Sequence, residues 1–562
     1  MTNSVVAEMC RGVDGAAMMG HLGQLARWVK LSGTAEEAES LRYLRAVLDG
    51  DGYRTTWLEH DAYISLPGAA HVEVDGHELK AITHSMSRSS PPGGTTGRLV
   101  HVGEGAEADI AGRDLRGCIL LVEGIANPAV SLRASQAGAA GQLHISPHEH
   151  LHEMCISPVW GSPSPGTVDA LPGTVAATVS HADGSALRAR LERGEAPRVV
   201  LHAEVDTGWR RTPLLVAELD VPSAAPDAPF ILFSGHHDTW YEGVMDNGAA
   251  NVTMLEVARL CAVHRGRWRR GLRLCFWSGH SHGRYSGSAW YADTHWEELE
   301  RRCAVHVNVD STGGIGASIL GEAGSSSELS ALAADAVATQ AAQEHRGKRL
   351  GRAGDQSFWG IGVPSLFMSL SHQPPGPVKM RNPLGWWWHT PQDRLDKIDP
   401  DNLARDTRVY VHAVGRLLTD QVLPLNYAPH AAALIAELER LQGVARHGIG
   451  LEHLLASAAD LRDAAAALPA PEDAEAAARR DAALMRAGRA LVPLDYTSGD
   501  RFSHDPALPQ PAWPALEPLR RLAAAEPGTD QAYLLAVAAR RACNRLAHAL
   551  GQACAALAFA RE

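Results

Sequence analysis

Four apolar runs, at residues 230–233, 272–277, 304–309 and 365–368, alternate with stretches of helical periodicity along the middle of this 562-residue chain. Strands that are apolar on nearly every residue are buried on both faces. The pattern therefore predicts an α/β fold, a mostly parallel sheet covered by helices. In such sheets functional side chains gather beyond the carboxyl ends of the strands. The residues found there are Gly235-His236-His237-Asp238, Gly279-His280-Ser281-His282-Gly283 and Asn308-Val309-Asp310. Two more segments, Met245-Asp246-Asn247-Gly248 and Trp388-His389-Thr390-Pro391, carry the same residue types.

Carboxylates and imidazoles in this combination suit a divalent first-row ion, zinc first and manganese or another metal next, and an aspartate can bridge two ions. Two ions a few ångströms apart polarise a carbonyl and lower the pKa of a bound water. Amide hydrolysis is the reaction such a set points to.

Length and composition frame the rest. A chain this long exceeds a single core and divides into domains. The net charge of −12 argues against nucleic acid as a partner. No apolar stretch is long enough to span a bilayer, the N-terminus lacks a signal-like pattern, and the eight cysteines show no CxxC spacing. A cytoplasmic protein is expected.

Helical spacing around Leu22, Leu25, Leu41, Leu44 and Leu48 is broken by Ser32-Gly33-Thr34. From about 64 to 200, short β-like runs at 99–102 and 118–122 alternate with Gly and Pro, with one helix near 129–137. After Pro424 the chain turns Ala- and Leu-rich, with Leu434, Leu438 and Leu441 on one helical face and another helix near 531–550. The division read from this is 1–63 and 201–425 as the α/β domain, 64–200 as a β-rich insert and 426–562 as a helical domain.

These segments resemble the co-catalytic zinc metallopeptidases that include bacterial aminopeptidases, glutamate carboxypeptidase and the transferrin receptor. Trp388-His389-Thr390-Pro391-Gln392-Asp393 is the most specific match, supported by Gly354-Asp355-Gln356-Ser357-Phe358. Residues 114–122 and 136–141 look like a protease-associated domain, and Leu423-Pro424-Leu425-Asn426-Tyr427 with the tail resembles that family's dimerisation domain. The resemblance implies that His236, Asp246 and Asp310 hold one metal with Asp246 bridging, that His389 belongs to a second, and that Asp238 orients a ligand. It also implies a peptide or small-amide substrate and a homodimer.

The departure lies at residues 280–283, where the family resembles Glu-Glu-Phe-Gly, a general base followed by a ligand of the second metal. Matching Trp277 and Gly283 puts His280 on the base and Ser281 on the ligand. Matching Gly287-Ser288 puts His282 on the ligand. Histidine as a residue type serves either role. The preferred expectation is His282 as replacement ligand and His280 as base, since alternate residues of an extended chain share a side. Glu242 is a second candidate for the missing carboxylate.

His148, His150 and His152 read as solvated loop histidines, Trp386 to Trp388 as packing or a substrate wall, and Tyr285 and Arg284 as candidate contacts for an oxyanion and a substrate carboxylate. Three functions fit: an aminopeptidase-type hydrolase, a specialised amide or ester hydrolase using His280 and His282, and a silent dimeric binding protein.

Overall fold

The computed structural model describes residues 4–222, 227–378, 380 and 383–561. One sheet of twelve strands runs through the α/β domain and into the insert. Its catalytic-side half orders Ser365–Leu366, Cys303–Asn308, Phe230–His236 and Gly271–Trp277, all parallel, before the antiparallel Arg198–Leu219.

Successive residues of these strands face opposite layers, which is why the runs are apolar throughout. Ile231 and Phe233 face the layer formed by helices Ala250–Val263 and Pro400–Thr419, with Met254, Val257, Val409 and Leu417 in that core. Phe230, Leu232 and Trp277 face Tyr291, Leu299 and Phe358 on the other side. Phe233 is fully buried, so truncation to alanine there costs about 3–5 kcal/mol.

The insert joins the α/β domain through two long strands. Arg54–Val74 and Arg198–Leu219 pair antiparallel from Arg54↔Glu218 to Val74↔Val199, with a bulge between Pro67 and Ala70, so both limits fall inside continuous strands. This long ribbon, interrupted only at that bulge, carries the insert. Beyond it, Thr95–His101, Ile119–Glu123, Gly141–Ile145 and Val175–Val179 pair in parallel, flanked by helices Pro128–Gln136 and His181–Glu192.

Asn426 caps the first helix of the tail, Tyr427–Arg440, which is followed by Glu452–Ala466, Ala474–Tyr496, Glu517–Ala524 and Asp530–Phe559. Leu434, Leu438, Leu491 and Leu546 join the same core as the sheet. Two buried arginines fasten the tail. Arg489 donates to the carbonyls of Leu299, Gly362 and Cys303, and Arg270 pairs with Asp481 at 2.5 Å. All eight cysteines are free, and among the described residues no helix is long and apolar enough to cross a membrane.

Candidate metal centre and its cavity

His236 is the last residue of its strand, and Asp246 sits in the turn Val244–Ala249 that leads into helix Ala250–Val263. That turn closes tightly at Gly243, φ +53°, where an added Cβ would lie 2.5 Å from the Asp246 carbonyl oxygen. Asp393 holds it from below, its carboxylate accepting the amides of Met245 at 2.9 Å and Asp246 at 3.0 Å. Burial pushes the Asp393 carboxyl up to about 7 against the opposing pull of those two amides. Asn251 ties strand to helix by donating to the His236 carbonyl at 2.7 Å.

Asp246 stands between two imidazoles. Its Oδ1 lies 3.1 Å from His236 Nε2, and its Oδ2 lies 3.1 Å from His389 Nε2. Asp310 Oδ1 is 3.7 Å from His236 Nε2. The other ring nitrogens decide what these contacts mean. His236 Nδ1 lies 2.8 Å from the Asp238 carbonyl oxygen and His389 Nδ1 lies 2.7 Å from that of Glu153. Carbonyls only accept, so each Nδ1 carries a proton, and in the neutral ring each Nε2 turns a lone pair toward a carboxylate. A lone pair facing a carboxylate is unfavourable unless a cation lies between them. His236 Nε2 and Asp246 Oδ1 are buried with no hydrogen-bond partner, as ligand atoms facing an ion would be.

The facing carboxylates call for positive charge at this point, which a proton on His236 Nε2 meets where no cation does. Burial acts to lower His236, but Asp246 and Asp310 overcome it and raise the group well above the usual imidazole range. His389, facing one carboxylate, is pulled below that range by burial. Asp246 is held below the usual carboxylate range because its two imidazole contacts outweigh its burial.

His280 stacks on His236, centroids 3.7 Å apart and 14° from parallel, and offers a ring nitrogen within 4.8 Å of ligand atoms of His236 and Asp310. Its Nδ1 lies 2.9 Å from Oδ2 of the buried Asp355, whose Oδ1 accepts from Ser288 at 2.8 Å. Asp238 organises the same loop, accepting from the amides of His280 and Ser281 and from the Ser32 hydroxyl. Ser281 follows on the cavity side with a buried, unpartnered Oγ.

Two expectations are corrected. His282 does not line the cavity: its Nδ1 lies 3.0 Å from Ser32 Oγ and 3.8 Å from Asp238 Oδ2, and its ring packs on Trp240. Residues 280–285 form a turn with Arg284 and Tyr285 at positive φ, so the alternation of an extended chain does not apply. Glu242 faces outward, 38% exposed and 3.6 Å from Arg394, with only its backbone carbonyl turned inward to Lys30. It supplies no carboxylate to the site.

The insert histidines are not solvated loop residues either. His152 is buried, with Nδ1 2.5 Å from the Trp388 carbonyl oxygen and Nε2 3.0 Å from His148, and His150 stacks on Trp386 at 4.2 Å. The insert thereby docks on the His389 segment. Glu153, next along, was not singled out by sequence. Its backbone exchanges two hydrogen bonds with His389, and burial pushes its carboxyl up to about 7, partly offset by the Tyr241 hydroxyl. Asn251 and Lys30 also escaped notice, because nothing in their local sequence separates a buried amide or amine from a surface one.

The cavity above the cluster encloses about 420 Å³. Asp246, His280, Ser281, Asp310 and His389 line it, with Met154 and Asn127 from the insert, Trp240 and Trp388, and Leu508 from the tail. Arg284, Lys348, Arg349 and Arg352 line it as well.

At the strand ends of this α/β sheet a buried Asp thus stands between two imidazoles, a donor set that suits a divalent ion. Residues 215–414 match the model of peptidase family M28. Among solved structures it is similar to the aminopeptidase from Aneurinibacillus sp. strain AM-1, at 21% identity, TM-score 0.56, covering 74% of this chain and 96% of that one. It is also similar to the peptidase M28 precursor from Shewanella amazonensis SB2B, at 18% identity, TM-score 0.60, covering 75% and 97%. A zinc aminopeptidase from Bacillus subtilis matches at 18% identity, TM-score 0.56, covering 73% and 97%. No curated protein matches the chain.

Proposed function

We propose that the chain is a metal-dependent hydrolase of aminopeptidase type that cleaves an amide bond of a peptide or small amide, with His280 in place of a glutamate as proton acceptor. The observation that carries this reading is the His280–Asp355 pair beside the cluster, an imidazole whose second nitrogen is fixed by a buried carboxylate. His236, Asp246 and Asp310 would hold one divalent ion, zinc by preference. Asp246, His389 and the neutral hydroxyl of Ser281 offer a poorer second position, since a hydroxyl is a weaker ligand for such an ion than a carboxylate. An ion held there would supply Lewis-acid chemistry to the scissile carbonyl and to a water.

His280 takes the proton of the attacking water at Nε2 and returns it to the leaving nitrogen, while Asp355 keeps Nδ1 protonated and the ring oriented. Asp238 fixes the loop on which His280 rides, and Trp240 and Trp388 exclude water around the reacting amide.

One observation narrows the substrate. Arg284 has a buried Nε without a partner, and among the described residues neither it nor Arg352 has a carboxylate within ion-pair distance. Arg352 is instead held by the backbone carbonyls of Asp505 and Pro506. Both line the cavity, which favours a substrate that carries a carboxylate besides the amide. A panel of aminoacyl amides, dipeptides and N-acyl amino acids, assayed with wild type and His280→Ala, tests the reading. Activity on the last two classes that disappears in the variant while the ion stays bound supports it, and equal activity in both proteins sinks it.

The cytoplasmic location rests on the eight free cysteines. The homodimer rests on Tyr533, Leu534 and Val537, exposed together on Asp530–Phe559, and light scattering of the purified chain decides it.

A further inference from the structure

A second group of ligand-type side chains lies on the insert, and none of its members lines the catalytic cavity. His71 and His202 are direct cross-strand partners on the long ribbon, and Glu73 is two residues beyond His71. All three share one face, because the intervening Val72 and Leu201 point into the insert core. The two rings stack 4.2 Å apart and 10° from parallel, and both Nε2 atoms turn toward Glu73 Oε1, at 3.9 Å from His71 and 3.3 Å from His202.

A tetrahedral ion with bonds of about 2.0–2.1 Å sets neighbouring ligand atoms roughly 3.4 Å apart. The His202–Glu73 separation is close to that value, and the His71 ring, on a partly exposed side chain, turns out of the stack to aim its lone pair at the same ion. His202 Nε2 is buried without a hydrogen-bond partner. Gly94 makes room for this ring, since an added Cβ would stand 2.7 Å from His202 Cε1. On the neighbouring strand Glu78 pairs with Glu73 and Lys80 with His71, so carboxylates outnumber amines around the site.

We propose that His71, Glu73 and His202 form a second, independent binding site for a divalent first-row cation, zinc by ligand type, with its remaining positions open to water. The site does not depend on the hydrolase reading. It pins the ribbon that carries the insert, on strands whose other ends reach the catalytic sheet.

Equilibrium dialysis of the full chain against zinc, followed by elemental analysis, tests it. Wild type is expected to hold one ion more per chain than His71→Ala/His202→Ala, and Glu73→Gln to weaken that ion at least tenfold. In Asp246→Asn, which disables the catalytic cluster, one ion is expected to remain. Copper(II) loaded into that variant should give a spin spectrum with two nitrogen ligands, lost on adding His202→Ala. Equal ion content in wild type and the double variant overturns the proposal, as does an Asp246→Asn protein that binds no ion.

Discussion

Nδ1 of His280 lies 2.9 Å from Oδ2 of Asp355, a buried carboxylate that also accepts from Ser288. The pair turns a loop histidine into an oriented one, with its free nitrogen on the side of the Asp246 cluster.

His280→Ala is therefore expected to lower kcat by about a hundredfold or more while the ion of His236, Asp246 and Asp310 stays bound. Asp355→Asn should cost about ten- to a hundredfold through lost orientation. Steady-state kinetics with elemental analysis of the same samples checks both, and loss of the ion in His280→Ala would make His280 a ligand instead.

His282→Ala should leave ion content unchanged, because the ring packs against Trp240 and, unlike Asp246, Asp310 and His389, does not line the cavity. Removing a fully buried ring there should destabilise the fold by about 2–4 kcal/mol. Denaturant unfolding beside metal analysis reads both, and an ion lost from a well-folded His282→Ala contradicts the assignment.

The contrast between these residues shows how far the sequence reached. His236, Asp246, Asp310 and His389 were legible because each follows an apolar strand or sits in a distinctive motif, and the fold delivers such positions to one end of the sheet. The segment 280–285 was not legible, since its order of polar residues fits two registers and only the turn, with Arg284 and Tyr285 in left-handed conformations, selects one. Glu242 failed for a related reason: proximity in sequence to Asp246 says nothing of direction, and the side chain leaves toward Arg394. The docking of His150 and His152 on the Trp386 to Trp388 segment joins residues more than 200 positions apart, and no local pattern records that contact.

Stability should fall in mild acid. Burial pushes the imidazoles of His60 and His306 down to about 4. An unfolded histidine titrates near ~6.5, so between these values the unfolded chain binds protons that the fold refuses. The contribution is fully present above pH 6.5 and lost as pH falls toward 4, up to roughly 3 kcal/mol per group. Urea unfolding at pH 7.5 and 5 measures it, and His306→Gln should flatten the dependence. A wild type equally stable at both values would contradict this.

Arg284→Gln should raise KM at least tenfold for substrates bearing a free carboxylate, with little change for their amidated counterparts, since an arginine–carboxylate contact in an enclosed cavity is worth about 1.5–3 kcal/mol. Equal losses on both substrate types would mark Arg284 as structural.

The most direct measurement is zinc titration by calorimetry and elemental analysis in the His71→Ala/His202→Ala background. The account expects one tightly held ion, lost in Asp246→Asn and in His236→Ala and kept in His280→Ala and His282→Ala. A tight ion that survives Asp246→Asn, or a background that binds none, would contradict it.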